Sequence, residues 1–499
     1  MTKDQQSMEA EAPIEIPSEG PLFDANNPSG FSRMTPQRFL ALALWGLPTR
    51  MREETVPVSY WSADNERLLA LVFQNSETSK SGISIIGRDE EGRYRPFAFQ
   101  NIFPTVRAAE DAICGNFGRS ALELEAKFDE LTDQPPGTDL FAAIPGVDKL
   151  HPAFRYLRDG VNQRAARELL SELSQWIPDL DGNLARDLQT TGYSARIWEL
   201  YLSVAFREMN FAVLNEQAVP DFHLVKGDQT IFVEATTANA PDPMAVAVGL
   251  GPPPGPPDDF WSFIEKEMPL KFGSPLHSKM QKRYWEKTHV EGHPLVLAIA
   301  DFHDRASMTW SHTGLPIYLH GRSAHLEHDE QGAAIGKEIR IPAFRKGNTE
   351  ITPFFEQPDT ENISAILFSN AGTISKFNRM GVRAGFGDRF VRVRRIGGWN
   401  DPHPDAFEPI SFDLDVESSL YEEAWADELE MYHNPKALQP IDDELFPGIA
   451  HFRIEGGEAI WRGPSPRVLF SQTLTMDLLG REHPEDFATM GKELDTPSN

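Results

Sequence analysis

Two carboxylates lie thirteen residues apart in a stretch of the chain that reads as two strands. Asp221 starts one predicted strand, and Glu234 lies inside the next one, Ile231–Thr236. A third carboxylate, Glu199, lies on the helix predicted just upstream. Carboxylate oxygens are the ligands that a hard cation such as Mg²⁺ takes. Three of them on a helix–strand–strand unit therefore predict a site for Mg²⁺ or Mn²⁺.

Side chains alternate between the two faces of a strand. Ile231, Val233 and Ala235 are expected to face the core, while Glu234 and Thr236 share the opposite face with Phe232. An unpaired carboxylate inside a buried strand is costly, so Glu234 needs a partner. An ion pair with a nearby arginine is one solution, but a metal ion accounts for both strand carboxylates together.

The third carboxylate has an alternative of its own. Glu199 follows Arg196 by three residues on the predicted helix Tyr193–Met209, and such neighbours form intrahelical pairs. The position of this helix just before the two carboxylate strands favours the metal site equally. Both interpretations of Glu199 stay open at the level of the sequence.

The order of these residues resembles the PD-(D/E)xK restriction-endonuclease-like superfamily. The matching residues are Glu199 on a helix, Pro220-Asp221 at a strand start and Glu234 on the next strand, over roughly residues 190–370. In that superfamily the carboxylates bind metal, and a lysine two residues after the strand Glu positions the attacking water. This chain is a divergent match, because Thr236 stands where the family has lysine.

The missing lysine leaves two outcomes. Lys279 and Lys282 lie on a helix predicted after the Glu234 strand, and we expect the amine of one of them to point at the carboxylates. A four-carbon stem and a compact ammonium suit this role. The alternative is that both lysines form a solvated surface stripe and the site is degenerate.

The resemblance implies a divalent-metal-dependent nuclease that hydrolyses phosphodiester bonds, in restriction, repair or defence against mobile DNA. Asp221 and Glu234 would bind Mg²⁺ or Mn²⁺, Glu199 would be a further ligand or orient water, and Lys279 and Lys282 would supply the catalytic charge. Nucleic acid is the implied partner, with DNA favoured over RNA. The alternative function is that of a catalytically inactive endonuclease-like binding or scaffold protein.

The charge of the chain weakens this expectation. The 499 residues carry a formal net charge of −28, whereas proteins that bind a phosphate polymer usually present a basic surface. A local arginine cluster between Asn378 and Gly397 could form a basic groove. A protein partner that supplies targeting is the other way to reconcile a nuclease with this charge.

Other features of the composition bear on location. Cys114 is the only cysteine, so no intramolecular disulfide can form. The chain has no run of about 18 apolar residues and no secretory signal. These features predict a cytoplasmic protein without membrane association.

The pattern of apolar runs predicts an α/β (α+β) chain. Continuously apolar runs at 294–301 and 363–368 read as central strands of a mixed sheet flanked by helices, which is the endonuclease-like core. The predicted segments are a largely disordered segment 1–55, a small antiparallel β unit 56–105, a helical segment 106–190, the core 191–375 with a Pro-rich loop 240–258, an α+β C-terminal extension 376–475 and a disordered tail 476–499.

Overall fold

The computed structural model describes residues 30–481 except 90–91, 116, 119–136, 145, 178, 180–181, 215–218, 243–257, 305–308, 329–333, 404–405 and 407. Its helices are α1 (Pro36–Ala43), α2 (Thr49–Glu54), α3 (Val106–Cys114), α4 (Pro152–Asp159), α5 (Arg164–Leu173), α6 (Leu184–Gln189), α7 (Tyr193–Glu208), α8 (Phe260–Ser262), α9 (Met268–Met280), α10 (Gly314–His320) and α11 (Ile374–Arg383). A π-helical turn, Phe263–Glu267, joins α8 to α9.

Besides short 3₁₀ helices, the described residues form strands. They are β1 (Ser32–Met34), β2 (Thr55–Ala63), β3 (Leu68–Asn75), β4 (Ser81–Arg88), β5 (Tyr94–Phe103), β6 (Ala212–Leu214), β7 (Phe222–Lys226), β8 (Gln229–Asn239), β9 (Leu295–Phe302), β10 (Arg322–His328), β11 (Ala334–Arg340), β12 (Phe344–Lys346), β13 (Thr349–Ile351), β14 (Ala365–Phe368), β15 (Val391–Trp399), β16 (Ile410–Asp415), β17 (Glu430–His433), β18 (Ala450–Glu455), β19 (Glu458–Arg462) and β20 (Val468–Asp477).

The N-terminal part forms an antiparallel sheet of five strands in the order β1-β2-β3-β4-β5. Both faces are covered, because α3 packs Ala109 and Ile113 on one side and α1 packs Phe39 and Leu42 on the other. This double cover explains why β3 is apolar over most of its length. Since β1, α1 and α2 lie between residues 32 and 54, the predicted disordered segment 1–55 is regular there, and residues 1–29 lie outside the described part.

The central element is a mixed sheet of eight strands in the order β19-β18-β17-β14-β9-β8-β7-β6. Strands β8, β9 and β14 run parallel, and β6, β7 and β8 form an antiparallel meander. Helix α7 packs on one face through Trp198 and Tyr201, and α9 packs on the other through Phe272 and Leu276. The predicted mixed α+β architecture, a mixed sheet flanked by helices, is confirmed.

The sheet extends further along the chain than the predicted core 191–375. Strands β17, β18 and β19, from residues 430–462, add to it beyond β14. Within the predicted extension 376–475, the strands of a separate sheet are β16, β15 and β20. Pairing across such distances in the sequence is decided by long-range contacts, which local patterns do not reveal.

The arginine cluster predicted to offer a basic groove is largely neutralised within the protein. Arg379 and Arg395 are buried and bind Glu423 and Glu428, and the more exposed Arg394 binds Asp413. Carboxylates from residues 413–428 therefore take up charge that a phosphate backbone would need. This groove is corrected to an internal ion-pair network.

The predicted Pro-rich loop and the predicted tail fall mostly outside the described residues. Of the Pro-rich loop 240–258, residues 243–257 are not described. Of the predicted tail 476–499, residues 476 and 477 end β20, and 482–499 are not described. Among the helices that the structure does describe, none is long and apolar enough to cross a membrane.

Candidate functional site

The antiparallel β7–β8 hairpin brings the two strand carboxylates together. Phe222 pairs with Val233, so the register places the preceding Asp221 opposite Glu234. The chain reverses at Gly227, whose φ of 58° lies in the left-handed region that glycine adopts without strain. A short turn and regular pairing are thus enough to fix these two carboxylates side by side.

Asp221 is held by the backbone of the neighbouring strand. Its Oδ2 accepts a hydrogen bond from the amide nitrogen of Ala235 at 2.7 Å. Burial, followed by the negative charges of Glu234 and Glu199, raises the pKa of Asp221 to about 7, although the ammonium of Lys279 opposes the shift. An acid with a pKa near neutrality among other carboxylates marks a place where a cation would be stabilised.

Glu234 is 2% exposed and lies on the sheet face covered by α9. Its Oε1 accepts hydrogen bonds from the ammonium of Lys279 and, at 2.5 Å, from the hydroxyl of Tyr284. Its Oε2 is buried and has no hydrogen-bond partner among the described residues. Burial, followed by the hydrogen bond to this carboxylate, raises the pKa of Tyr284 and keeps its hydroxyl protonated. Of the two oxygens of this buried carboxylate, Oε1 thus accepts two hydrogen bonds and Oε2 accepts none from the described residues.

The structure separates the two lysines that the sequence offered together. Lys279 lies in the last turn of α9 and reaches Glu234. Helix α9 ends at Met280, so Lys282 lies in the following turn, exposed, with its amine 5.9 Å from the ring centre of Tyr284. Of the two lysines, Lys279 is the one observed in contact with a site carboxylate, and Lys282 lies beyond the end of the helix on which it was predicted.

Glu199 lies at the margin of this site. Its Oε2 accepts from Nη1 of Arg196 at 2.7 Å, and the same guanidinium binds Asp187. Burial raises the pKa of Glu199, while Arg196 opposes the shift. The intrahelical pair that the sequence left open as an alternative is therefore present.

The three predicted metal ligands do not converge tightly. Among the described residues, the set of three His, Cys, Asp or Glu side chains whose ligand atoms all lie within 4.8 Å of one another is His433, Asp443 and His451. Glu199, Asp221 and Glu234 do not form such a set. The hairpin places Asp221 and Glu234 side by side, and the charge of Glu199 acts on both of them. Joint binding of one ion by all three carboxylates stays a prediction.

Thr236, at the family's lysine position, is half-buried on β8 and carries no charge. Lys279 instead brings an ammonium to Glu234 from another element. Tyr284 was not predicted as a site residue, although it follows Lys279 by only five residues. The available signal was that a tyrosine buried in an apolar setting needs a partner for its hydroxyl.

The His433 cluster lies elsewhere, where β17 and β18 run parallel. Nε2 of His433 is 2.9 Å from Nδ1 of His451 and 3.3 Å from a carboxylate oxygen of Asp443. Two imidazoles and a carboxylate could hold a transition metal. However, Asp443 already binds the guanidinium of Arg453, with Arg462 at 3.6 Å, and these positive charges oppose a cation.

Comparisons with known proteins identify no relative of this chain: no family model, no curated protein and no solved structure matches it.

Proposed function

We propose that the chain is a divalent-metal-dependent phosphodiester hydrolase with an endonuclease-like core, acting on nucleic acid, with DNA favoured over RNA. The observation that carries the proposal is the contact between Lys279 and Glu234 beside Asp221. It supplies, from helix α9, the positive charge that the motif lacks at Thr236. In this proposal the lysine has migrated and the acidic pair is retained.

The residues suit a hard cation in two respects. Oε2 of Glu234 is a buried carboxylate oxygen without a partner among the residues that the structure describes, and such an atom is stabilised by a ligand. Asp221, whose pKa is raised to about 7, is stabilised in its charged form by a nearby cation. Asp221 and Glu234 would hold Mg²⁺ or Mn²⁺, which would supply an activated water and charge stabilisation at the phosphate.

The chain's own residues have distinct roles in this proposal. Tyr284 donates to Oε1 of Glu234 and fixes the carboxylate plane, so that Oε2 is turned away from the hydroxyl. Lys279 offers an ammonium that can contact a phosphate oxygen. Glu199, tied to Arg196, adds negative charge and would orient water rather than bind the ion directly.

A binding or scaffold protein of the same fold is the second candidate. It is favoured by the same contact, because an ammonium on Glu234 partly neutralises the carboxylate that a metal would use. Binding a cation would then compete with an existing ion pair. The net charge of −28 adds to this, since association with DNA would need a partner.

The test is incubation of the full chain with supercoiled plasmid, linear duplex and RNA, in Mn²⁺, Mg²⁺ or EDTA. We expect metal-dependent cleavage that Glu234→Gln and Lys279→Met abolish and that the matched control Lys282→Met keeps. Melting temperature with and without Mn²⁺ is measured on the same samples. A metal-dependent rise without cleavage of any substrate would favour the binding protein, and the absence of both would reject the metal site.

A further inference from the structure

We infer that the chain has a second ligand site, a cavity that takes an amphipathic anion with a single head group and an apolar chain. The cavity has a volume of about 640 Å³ and lies where α1, α2 and β2 meet α5, α7 and the 422–427 loop. This volume is in the range of small-molecule sites in proteins, roughly 300–1,000 Å³. It is distinct from the carboxylate site, since neither Asp221 nor Glu234 lines it.

Most of the cavity wall is apolar. The side chains that form it include Leu40, Leu44, Leu47, Met51, Leu71 and Leu173. A wall of this kind favours an alkyl chain, because each buried methylene contributes about 0.8 kcal/mol. The apolar wall determines the body of the ligand but not its head group.

The head group follows from Arg52, which lines the cavity. Its Nε and Nη2 are buried and have no hydrogen-bond partner in the part of the chain that the structure describes, and its Nη1 donates to the carbonyl oxygen of Arg207. Arg207 lies close by and, within the described structure, also has a buried Nε without a partner, as does Nε1 of Trp45 beneath it. Neither of these two residues lines the cavity, so the N–H groups without acceptors at its wall are those of Arg52.

No carboxylate of the described residues lies in ion-pair contact with Arg52, although the charge of Glu53 acts on it from a longer distance. Neither Arg52 nor Arg207 forms an ion pair with a carboxylate among the described residues. Burial, followed by the repulsion from Arg207, lowers the pKa of Arg52 to about 9, which is unusual for a guanidinium. A carboxylate head group would supply the missing charge and the missing acceptors, and charge-assisted hydrogen bonds of this type are the strong ones.

The rest of the wall limits the ligand to one anionic group. The other charged residues that line the cavity are Glu208, Glu422, Glu423, Asp427 and Arg383, and Nη1 of Arg383 donates to the carbonyl oxygen of Ser418. Glu208 and Asp427 each accept a hydrogen bond at 2.9 Å from a backbone amide of the 422–427 loop. Burial raises the pKa of both carboxyls. A second anion would be repelled there, so a monocarboxylate is preferred over a dicarboxylate.

Isothermal titration of the full chain with dodecanoate, below its micelle concentration, tests the inference. We expect binding with one-to-one stoichiometry, and none of comparable strength for dodecyltrimethylammonium or decanedioate. Arg52→Gln should weaken dodecanoate at least about tenfold, the effect of losing a charge-assisted hydrogen bond. Arg50→Gln, on the same helix but with an 85% exposed side chain, is the matched control and should bind as the wild type does.

A second variant tests whether the alkyl chain of the ligand occupies the cavity. Ala41 lines the cavity, so Ala41→Phe places a ring in the space and should abolish dodecanoate binding while the circular dichroism stays unchanged. The inference is overturned if dodecanoate does not bind, if Arg52→Gln binds it as tightly as Arg50→Gln, or if Ala41→Phe leaves the affinity intact. Equal binding of the cationic amphiphile would also overturn it.

Discussion

The ammonium of Lys279 binds Oε1 of Glu234, joining the last turn of α9 to the middle of β8 across 45 residues of sequence. Glu234 is almost fully buried, whereas the lysine side chain keeps 20% of its exposure. The carboxylate therefore depends on the lysine for its charge balance more than the lysine depends on the carboxylate. Loss of the lysine should therefore lower the stability of the folded protein even if the site has no catalytic role.

Lys279→Met should destabilise the protein in the absence of metal. Removing one partner leaves a buried charge uncompensated, which typically costs about 3 kcal/mol. Urea unfolding followed by circular dichroism measures the loss. Lys282→Met, on the exposed turn just after α9, should change the free energy of unfolding by no more than about 0.5 kcal/mol. Equal effects of the two variants would contradict the observed pairing.

Tyr284→Phe should also destabilise the protein. The variant removes a hydroxyl that donates to the charged Glu234, and hydrogen bonds to charged groups contribute about 1.5–3 kcal/mol. Tyr318→Phe is the comparison, because the Tyr318 hydroxyl accepts a hydrogen bond from the neutral side-chain amide of Gln357 at 3.3 Å. The free energy of unfolding in urea should fall more for Tyr284→Phe, and the reverse order would count against the prediction.

The raised pKa of Asp221 predicts a dependence of stability on pH. A carboxyl with a pKa of about 7 in the folded protein and 3.8 in the unfolded one binds its proton more tightly when folded. Its contribution is complete below about pH 4 and is lost as the pH rises through 7. Asp221→Asn removes this titrating group. The free energy of unfolding of the variant, relative to that of the wild type, should therefore increase between pH 5 and 8.

The same titration predicts the pH dependence of metal binding. Below pH 7 a metal ion must displace the proton of Asp221, so the apparent affinity for Mn²⁺ should rise by up to about tenfold per pH unit. Above pH 7 this dependence should flatten. Calorimetric titration between pH 5.5 and 8.5 measures it, and Asp221→Asn is the control. An affinity for Mn²⁺ that is constant below pH 7 would exclude Asp221 as a ligand.

The buried imidazoles of the His433 cluster predict sensitivity to acid. Burial and the charge of Arg453 lower the pKa of His433 to about 3, from an ordinary value of 6.5. The folded protein therefore resists protonation, and stability falls as the pH drops from 6.5 towards 3. His433→Gln should show a shallower fall in melting temperature between pH 7 and 5 than the wild type. An unchanged slope would show that other groups govern the acid response.

Several elements were predictable from the sequence because the physics that forms them is local. The continuous apolar run at 294–301 predicts a strand covered on both faces, and it is β9 in the interior of the central sheet. Asp221 and Glu234 are neighbours because a short turn joins their strands and pairing follows from it. Alternation placed Val233 and Ala235 on one face and Glu234 on the other.

Other features depended on contacts between distant segments. The sequence offered Lys279 and Lys282 equally as the lysine that contacts the carboxylates. Lys279 makes the contact because α9 ends at Met280, before Lys282. Tyr284 gained its role only because the chain after α9 folds back over β8. The sequence indicated a basic groove at the arginines near residue 390. In the folded protein, carboxylates from residues 413–428 form ion pairs with these arginines.

The sequence by itself thus determined strands β7, β8 and β9, the helix before them and the adjacent pair of carboxylates, since hydrogen-bonded turns and side-chain periodicity act within a few residues. The tertiary structure alone decided which cation neutralises Glu234, which arginines of the described residues lack an ion pair and which strands complete the central sheet. Those outcomes depend on burial and on Coulomb interactions between segments far apart in the chain. Such interactions become strong only when folding has removed the intervening water.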